Sequence, residues 1–95
     1  MSDEKITLEG VVNIAKADAL HHEMEDVLTK KSPVVLDASG LQRIDTAVLQ
    51  LLVSFIKSMS SAKLGVNWSG VTDELIAAAK LLGLDQELKL VPVEA

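Results

Sequence analysis

The chain has 95 residues, 48% hydrophobic and 24% charged, which predicts one compact domain over residues 1–95 rather than two independent cores. Its net charge of −5 disfavours nucleic acid and anionic lipid surfaces as partners, because both select basic patches. The absence of cysteine excludes disulfides, a thiolate nucleophile and a cysteine-based zinc site, and favours a reducing, cytoplasmic location.

The sequence predicts neither a signal peptide nor a membrane-spanning helix. Residues 1–5 are acidic and lack the basic flank and apolar run of a signal peptide. The longest nearly uncharged run, residues 44–56, is shorter than the about 20 apolar residues that cross a bilayer. We therefore expect no secretion signal and no direct membrane insertion.

The first third of the chain predicts strands followed by a helix. Residues 4–8 alternate weakly, Gly10 interrupts them and residues 11–14 form a β-branched run, which predicts two strands with a break or bulge between them. Apolar residues recur at helical spacing over residues 17–29, which predicts a surface helix. Pro33 prevents this helix from continuing.

The centre of the chain predicts a buried strand and the strongest helix. Residues 34–36 are a short apolar run typical of a central strand, which is expected to end at Asp37. The next helix is expected to begin at Asp45 as its N-cap and to carry a wide apolar face through Met59.

The last third predicts a strand over residues 65–70, a third helix over residues 72–82 and a final strand over residues 88–93. The order of elements predicts an α/β fold, a mixed central β-sheet covered by three to four helices.

The sequence contains no pattern that predicts catalysis, a metal site or a cofactor. His21 and His22 are consecutive on a helix and point about 100° apart, so they form neither a catalytic pair nor the i, i+4 spacing of metal ligands. Asp37 and Asp45 end a strand and open the next helix, where two carboxylates could do acid–base work. A strand-end residue and an N-cap explain them more simply, so we predict that the protein is not an enzyme.

Thr46 has a hydroxyl at the expected start of the second helix. Exposed backbone N–H groups and the helix dipole favour an anion at such a position, so Thr46 is a candidate for phosphorylation. A capping role for the Asp45–Thr46 pair is the alternative interpretation.

Residues 36–52, LDASGLQRIDTAVLQLL, and the later segments GVTDEL and KLLGL resemble STAS domains, the anti-sigma-factor antagonists and their bacterial relatives. The most specific part is Ile44-Asp45-Thr46-Ala47. In that family a partner kinase phosphorylates the Ser or Thr after this Asp and thereby breaks their complex, which implies Thr46 here. Val48 stands where the family usually has glycine, and Asn13 stands where many members have Asp.

The resemblance implies a cytoplasmic signalling module that docks an anti-sigma factor, a kinase-like protein or another signalling protein. Phosphate at Thr46, beside Asp45 and within reach of Asp37, would repel an apolar or acidic partner. Core packing is the alternative role for Ile44 and Val48. The residues predicted to bind the partner are Asp37, Ser39, Leu41, Ile44, Asp45, Thr46, Ala47 and Val48.

A second interpretation follows from the same resemblance. Residues 45–52 also resemble the small cytoplasmic STAS subunit of bacterial phospholipid-trafficking ABC transporters. This implies a constitutive adaptor that contacts the transporter ATPase, with Thr46 as a structural cap and contact residue.

Overall fold

The computed structural model describes residues 4–90, in which three strands and three helices alternate along the chain. This alternation confirms the predicted α/β class. The elements are β1 Glu4–Val12, α1 Ile14–Lys30, β2 Val34–Ile44, α2 Thr46–Ser61, β3 Val66–Gly70 and α3 Asp73–Leu81.

The sheet has the order β1-β2-β3, and both strand pairings are parallel. Within residues 4–90 the sheet is therefore parallel, not mixed as predicted. The reason is that each strand is followed by a helix that carries the chain back to the starting edge. Because both crossovers advance in the same direction, right-handed connections place α1 and α2 on the same face of the sheet.

The N-terminal segment is one strand rather than the predicted pair. Gly10 adopts a positive φ of 67° inside β1, and the pairing with β2 shifts register on either side of it without ending. The strand stops at Val12 because the side chain of Asn13 accepts a hydrogen bond from the Ala15 N–H and caps α1. Helix α1 consequently begins at Ile14, three residues before the predicted start.

Strand β2 is much longer than the predicted residues 34–36. It continues to pair with β1 from Asp37, opposite Thr7, to Ile44, opposite Val12. One register shift accommodates Ser39, so that Gly40 pairs with Glu9, and a second shift accommodates Gln42. Most of the segment expected to be a loop is thus an irregular strand.

One face of the sheet packs on the helices and the other faces solvent. Along β1, Ile6 and Leu8 are buried while Lys5, Thr7 and Glu9 are exposed. The buried residues of β1, β2 and the three helices form a single hydrophobic cluster, and the half-buried Val66 and Trp68 of β3 pack against it. Its most enclosed members include Ile6, Leu36, Val48, Leu52, Met59 and Leu75.

The C-terminal part of the described chain packs against β3. The hydroxyl of Thr72 accepts the Leu75 N–H and caps α3, in line with the predicted start of this helix. After α3 the chain turns, and the Trp68 indole donates a 2.8 Å hydrogen bond to the Leu88 carbonyl. The predicted final strand is wrong for Leu88 and Lys89, which lie in a turn, and its residues 91–93 lie outside the described residues.

Candidate functional site

Two strand-to-helix junctions meet at the carboxyl edge of the sheet. There β1 leads into α1 and β2 leads into α2, because the carboxyl ends of parallel strands lie at one edge. The Asp45 N–H donates a 3.1 Å hydrogen bond to the Val12 carbonyl and so joins the two junctions directly.

Asp45 holds the starts of both helices. It occupies the N-cap position of α2, as predicted, and its carbonyl accepts the N–H groups of Val48 and Leu49. Its side chain makes no capping bond to α2. Instead the Oδ2 atom accepts the Ile14 N–H at 3.3 Å, at the first turn of α1. The carboxylate therefore caps the neighbouring helix together with Asn13.

Four residues lie together at this junction: Ile14, Asp45, Thr46 and Ala47. Because the sequence predicts partner binding at the last three, we call these four residues the docking surface. Thr46 and Ala47 are exposed at the first two positions of α2. Ile14 is 67% exposed, and its backbone is held beside them by Asp45. The aliphatic side chain of Ile14 makes this part of the surface apolar.

Ile14 is a residue that the sequence pattern assigned to a strand. Its position in the β-branched run of residues 11–14 predicted a strand. Asn13 is the signal that distinguishes the alternatives, since Asn is among the preferred N-cap residues and places Ile14 at the first position of a helix.

Two residues predicted to contact a partner are enclosed in the core. Leu41 is 2% exposed and Val48 is fully buried, so neither side chain reaches the surface in this structure. Ile44 is half-buried and packs against the same core. The physical reason is that Leu41 lies on the helix-covered face of β2 and Val48 on the inward face of α2. Core packing is therefore the role of Val48.

Asp37 and Ser39 form a separate, local arrangement on β2. The Asp37 Oδ1 atom accepts the Ser39 hydroxyl at 2.7 Å and the Ser39 N–H at 3.0 Å. The Lys5 Nζ atom lies 3.4 Å from the other carboxylate oxygen. The hydrogen bond from the Ser39 hydroxyl is the largest cause, ahead of that from the Ser39 N–H, of an Asp37 pKa below its ordinary value. The two bonds to Ser39 form a side-chain turn inside β2, and they favour the ionised form of Asp37.

The fold does not bring Asp37 next to Asp45. Asp37 lies opposite Thr7 of β1, whereas Asp45 bonds to Val12, five residues further along that strand. At 3.3 Å per residue this places the two positions about 16 Å apart along β1. The expectation that Asp37 lies within reach of a phosphate on Thr46 is therefore wrong, because β2 continues well beyond its predicted end.

Further surface features of the described residues are two grooves beside α1. Within residues 4–90 no three metal-ligating side chains cluster. A groove of about 200 Å³ lies between β1 and α1, and a smaller one of about 100 Å³ lies between α1 and α2, lined in part by His21. Within the same residues, none of the helices has the length and apolar character needed to span a membrane.

The fold defines a small α/β domain in which two strand-to-helix junctions meet at the carboxyl edge of a parallel sheet. A family model described as "Mlab, STAS domain" matches residues 1–92, and the chain belongs to the STAS domain family. STAS domains are generally non-enzymatic modules for signalling and protein interaction. No curated protein matches the chain.

Proposed function

We propose that this STAS domain binds a signalling protein through the docking surface and that phosphorylation of Thr46 ends the complex. The observation that carries the proposal is the exposure of Thr46 at the first position of α2, next to the exposed Ile14. A kinase can reach the hydroxyl there, and a partner can cover the aliphatic side chain beside it.

Electrostatics gives phosphorylation a direct effect on this surface. A phosphate adds about 1.5 to 2 negative charges at Thr46, next to the carboxylate of Asp45. That carboxylate already accepts the Ile14 N–H, so it cannot move away without losing this bond. An apolar or acidic partner surface that fits the unmodified domain is then repelled.

The burial of Val48 supports access to Thr46. A β-branched residue in place of the family's usual glycine would obstruct a partner if its side chain faced outward. Val48 is instead completely buried, so the surface beside Thr46 is formed by the small side chain of Ala47. The resemblance to anti-sigma-factor antagonists favours a kinase-like anti-sigma factor as the partner.

The test is an affinity pulldown from the native cytoplasmic and membrane fractions, read by mass spectrometry. Baits are the wild type, Thr46→Glu and Thr46→Val, of which the last removes the hydroxyl without adding charge. We expect a signalling partner to bind the wild type and Thr46→Val but not Thr46→Glu, and we expect phosphate on Thr46 of the native protein. Equal recovery on all three baits, with no phosphate, would contradict the switch.

Ile14→Ser tests the contact itself, with Val71→Ser as the matched control. Both positions are exposed aliphatic residues, but Val71 lies next to α3, outside the docking surface. We expect loss of the partner with Ile14→Ser and retention with Val71→Ser. Retention of the partner by Ile14→Ser and its loss with Val71→Ser would show that the partner binds outside the docking surface.

A constitutive adaptor is the second candidate function. The resemblance of residues 45–52 to the STAS subunit of phospholipid-trafficking ABC transporters favours it. In this case the docking surface stays covered and Thr46 is a contact residue. Stoichiometric recovery of a transporter ATPase with unmodified Thr46 would support the adaptor and replace the switch.

A further inference from the structure

Strand β1 forms an edge of the sheet in the described part of the chain. It pairs with β2 on one side, and no other strand of residues 4–90 pairs with it. The Glu4 N–H donates to the Pro33 carbonyl, so the backbone groups of Glu4, Ile6 and Leu8 point toward β2. Because these directions alternate along a strand, the N–H and C=O groups of Lys5, Thr7 and Glu9 point away from the sheet.

We infer that this edge binds β1 of a second copy of the chain, antiparallel, about a two-fold axis at Thr7. Thr7 then lies opposite its own counterpart, and Lys5 lies opposite Glu9 of the second copy. These are the residues whose backbone groups point outward. Each facing pair can therefore exchange two hydrogen bonds, as in an ordinary antiparallel ladder.

The side chains of the same three residues favour this arrangement. All three are exposed on the open face of the sheet. The axis at Thr7 places a lysine against a glutamate twice, and opposite charges at facing positions stabilise strand pairs. A parallel pairing in register would place Lys5 against Lys5, so the charges select the antiparallel arrangement. Lys5, which lies 3.4 Å from Asp37, would gain a second carboxylate neighbour.

The resulting dimer is small and reversible. The regular part of the edge is short, since Gly10 and the register shifts beside it interrupt the pairing of the strand with β2. Interfaces below about 1,200 Å² belong to the weak, transient class. The axis lies about 16 Å from Val12 along β1, so the docking surface stays open in each copy, at opposite ends of a continuous six-stranded sheet.

Charge exchange tests the inference in analytical ultracentrifugation of the full chain, at low salt and up to millimolar concentration. Lys5→Glu and Glu9→Lys should each weaken self-association about tenfold, because each places like charges at both ends of the ladder. An equimolar mixture of the two variants should associate at least as well as the wild type, since its facing pairs are again opposite in charge. Glu74→Lys, which reverses an exposed charge on α3, is the control and should leave self-association unchanged.

Thr7→Pro tests the backbone pairing. It removes an outward N–H without removing a bond between β1 and β2, and proline is tolerated on such an edge. We expect Thr7→Pro to be folded by circular dichroism and monomeric by ultracentrifugation. A wild type that stays monomeric at all concentrations overturns the inference. So does a dimer that is equally stable in both single variants and in their mixture. The monomeric result would assign Lys5 and Glu9 to protection of the edge against aggregation, and the insensitive dimer would place the interface away from β1.

Discussion

Asp37 and Asp45 occupy similar places in the sequence but have different roles in the structure. Each follows an apolar residue of β2 and precedes small or hydroxyl residues. Asp37 bonds to Ser39, two residues away, and forms a local turn. Asp45 bonds to Ile14, 31 residues away, and joins the starts of two helices.

The difference shows where a local change can have a distant effect. The turn at Asp37 lies on the open face of the sheet, and its bonds satisfy groups within the turn itself. The junction at Asp45 connects the docking surface to α1 and, through Val48, to the core. We therefore expect substitutions at the junction to cost more stability than substitutions in the turn.

The largest effect is expected at Val48. Val48→Gly restores the family's usual residue but removes a fully buried side chain and adds a helical glycine, so it should cost about 3 kcal/mol of unfolding free energy. Ala47→Gly, the exposed neighbour, should cost about 1 kcal/mol. Urea denaturation measures both. Equal costs would mean that Val48 is not a core residue.

An intermediate effect is expected at Asp45. Asp45→Ala removes the acceptor for the Ile14 N–H and should cost about 1 kcal/mol, while Asp45→Asn retains a side-chain oxygen and should cost less. Hydrogen exchange of the Ile14 amide should accelerate in Asp45→Ala. Unchanged exchange there would show that the carboxylate does not hold α1. Asp37→Ala should leave this amide unaffected.

The smallest effect concerns acid stability. Because the folded pKa of Asp37 is lowered, its contribution to stability is present above the ordinary aspartate pKa of about 3.9. It is lost as the pH falls through the lower folded value. Ser39→Ala should raise the Asp37 pKa toward the ordinary range in an NMR titration. An unchanged titration would contradict the role of the Ser39 hydroxyl.

Local patterns predicted the helices better than the sheet. The apolar spacing in α2 and the capping residue Thr72 of α3 have local physical causes, and both helices begin within one residue of the prediction. The continuation of β2 through Ser39 and Gly40 depends on pairing with β1, which outweighs their preference for turns. Strand direction likewise follows from the crossovers and not from any one strand's residues.

The candidate site was likewise predicted only where its features have local causes. Asp45, Thr46 and Ala47 could be placed at a helix start from the sequence between 44 and 47 alone. The burial of Leu41 and Val48 depends on which face the tertiary structure covers. The contribution of Ile14 depends on a hydrogen bond to a residue far along the chain.

The hydrogen bond from Trp68 to the Leu88 carbonyl gives the domain an optical reporter. The chain has one tryptophan and no tyrosine, so its near-ultraviolet emission arises from this one indole. The ring is half-buried on β3 and its N–H contacts the segment after α3. Detachment of that segment would hydrate the indole and shift its fluorescence to longer wavelength, while unfolding of the sheet would shift it further.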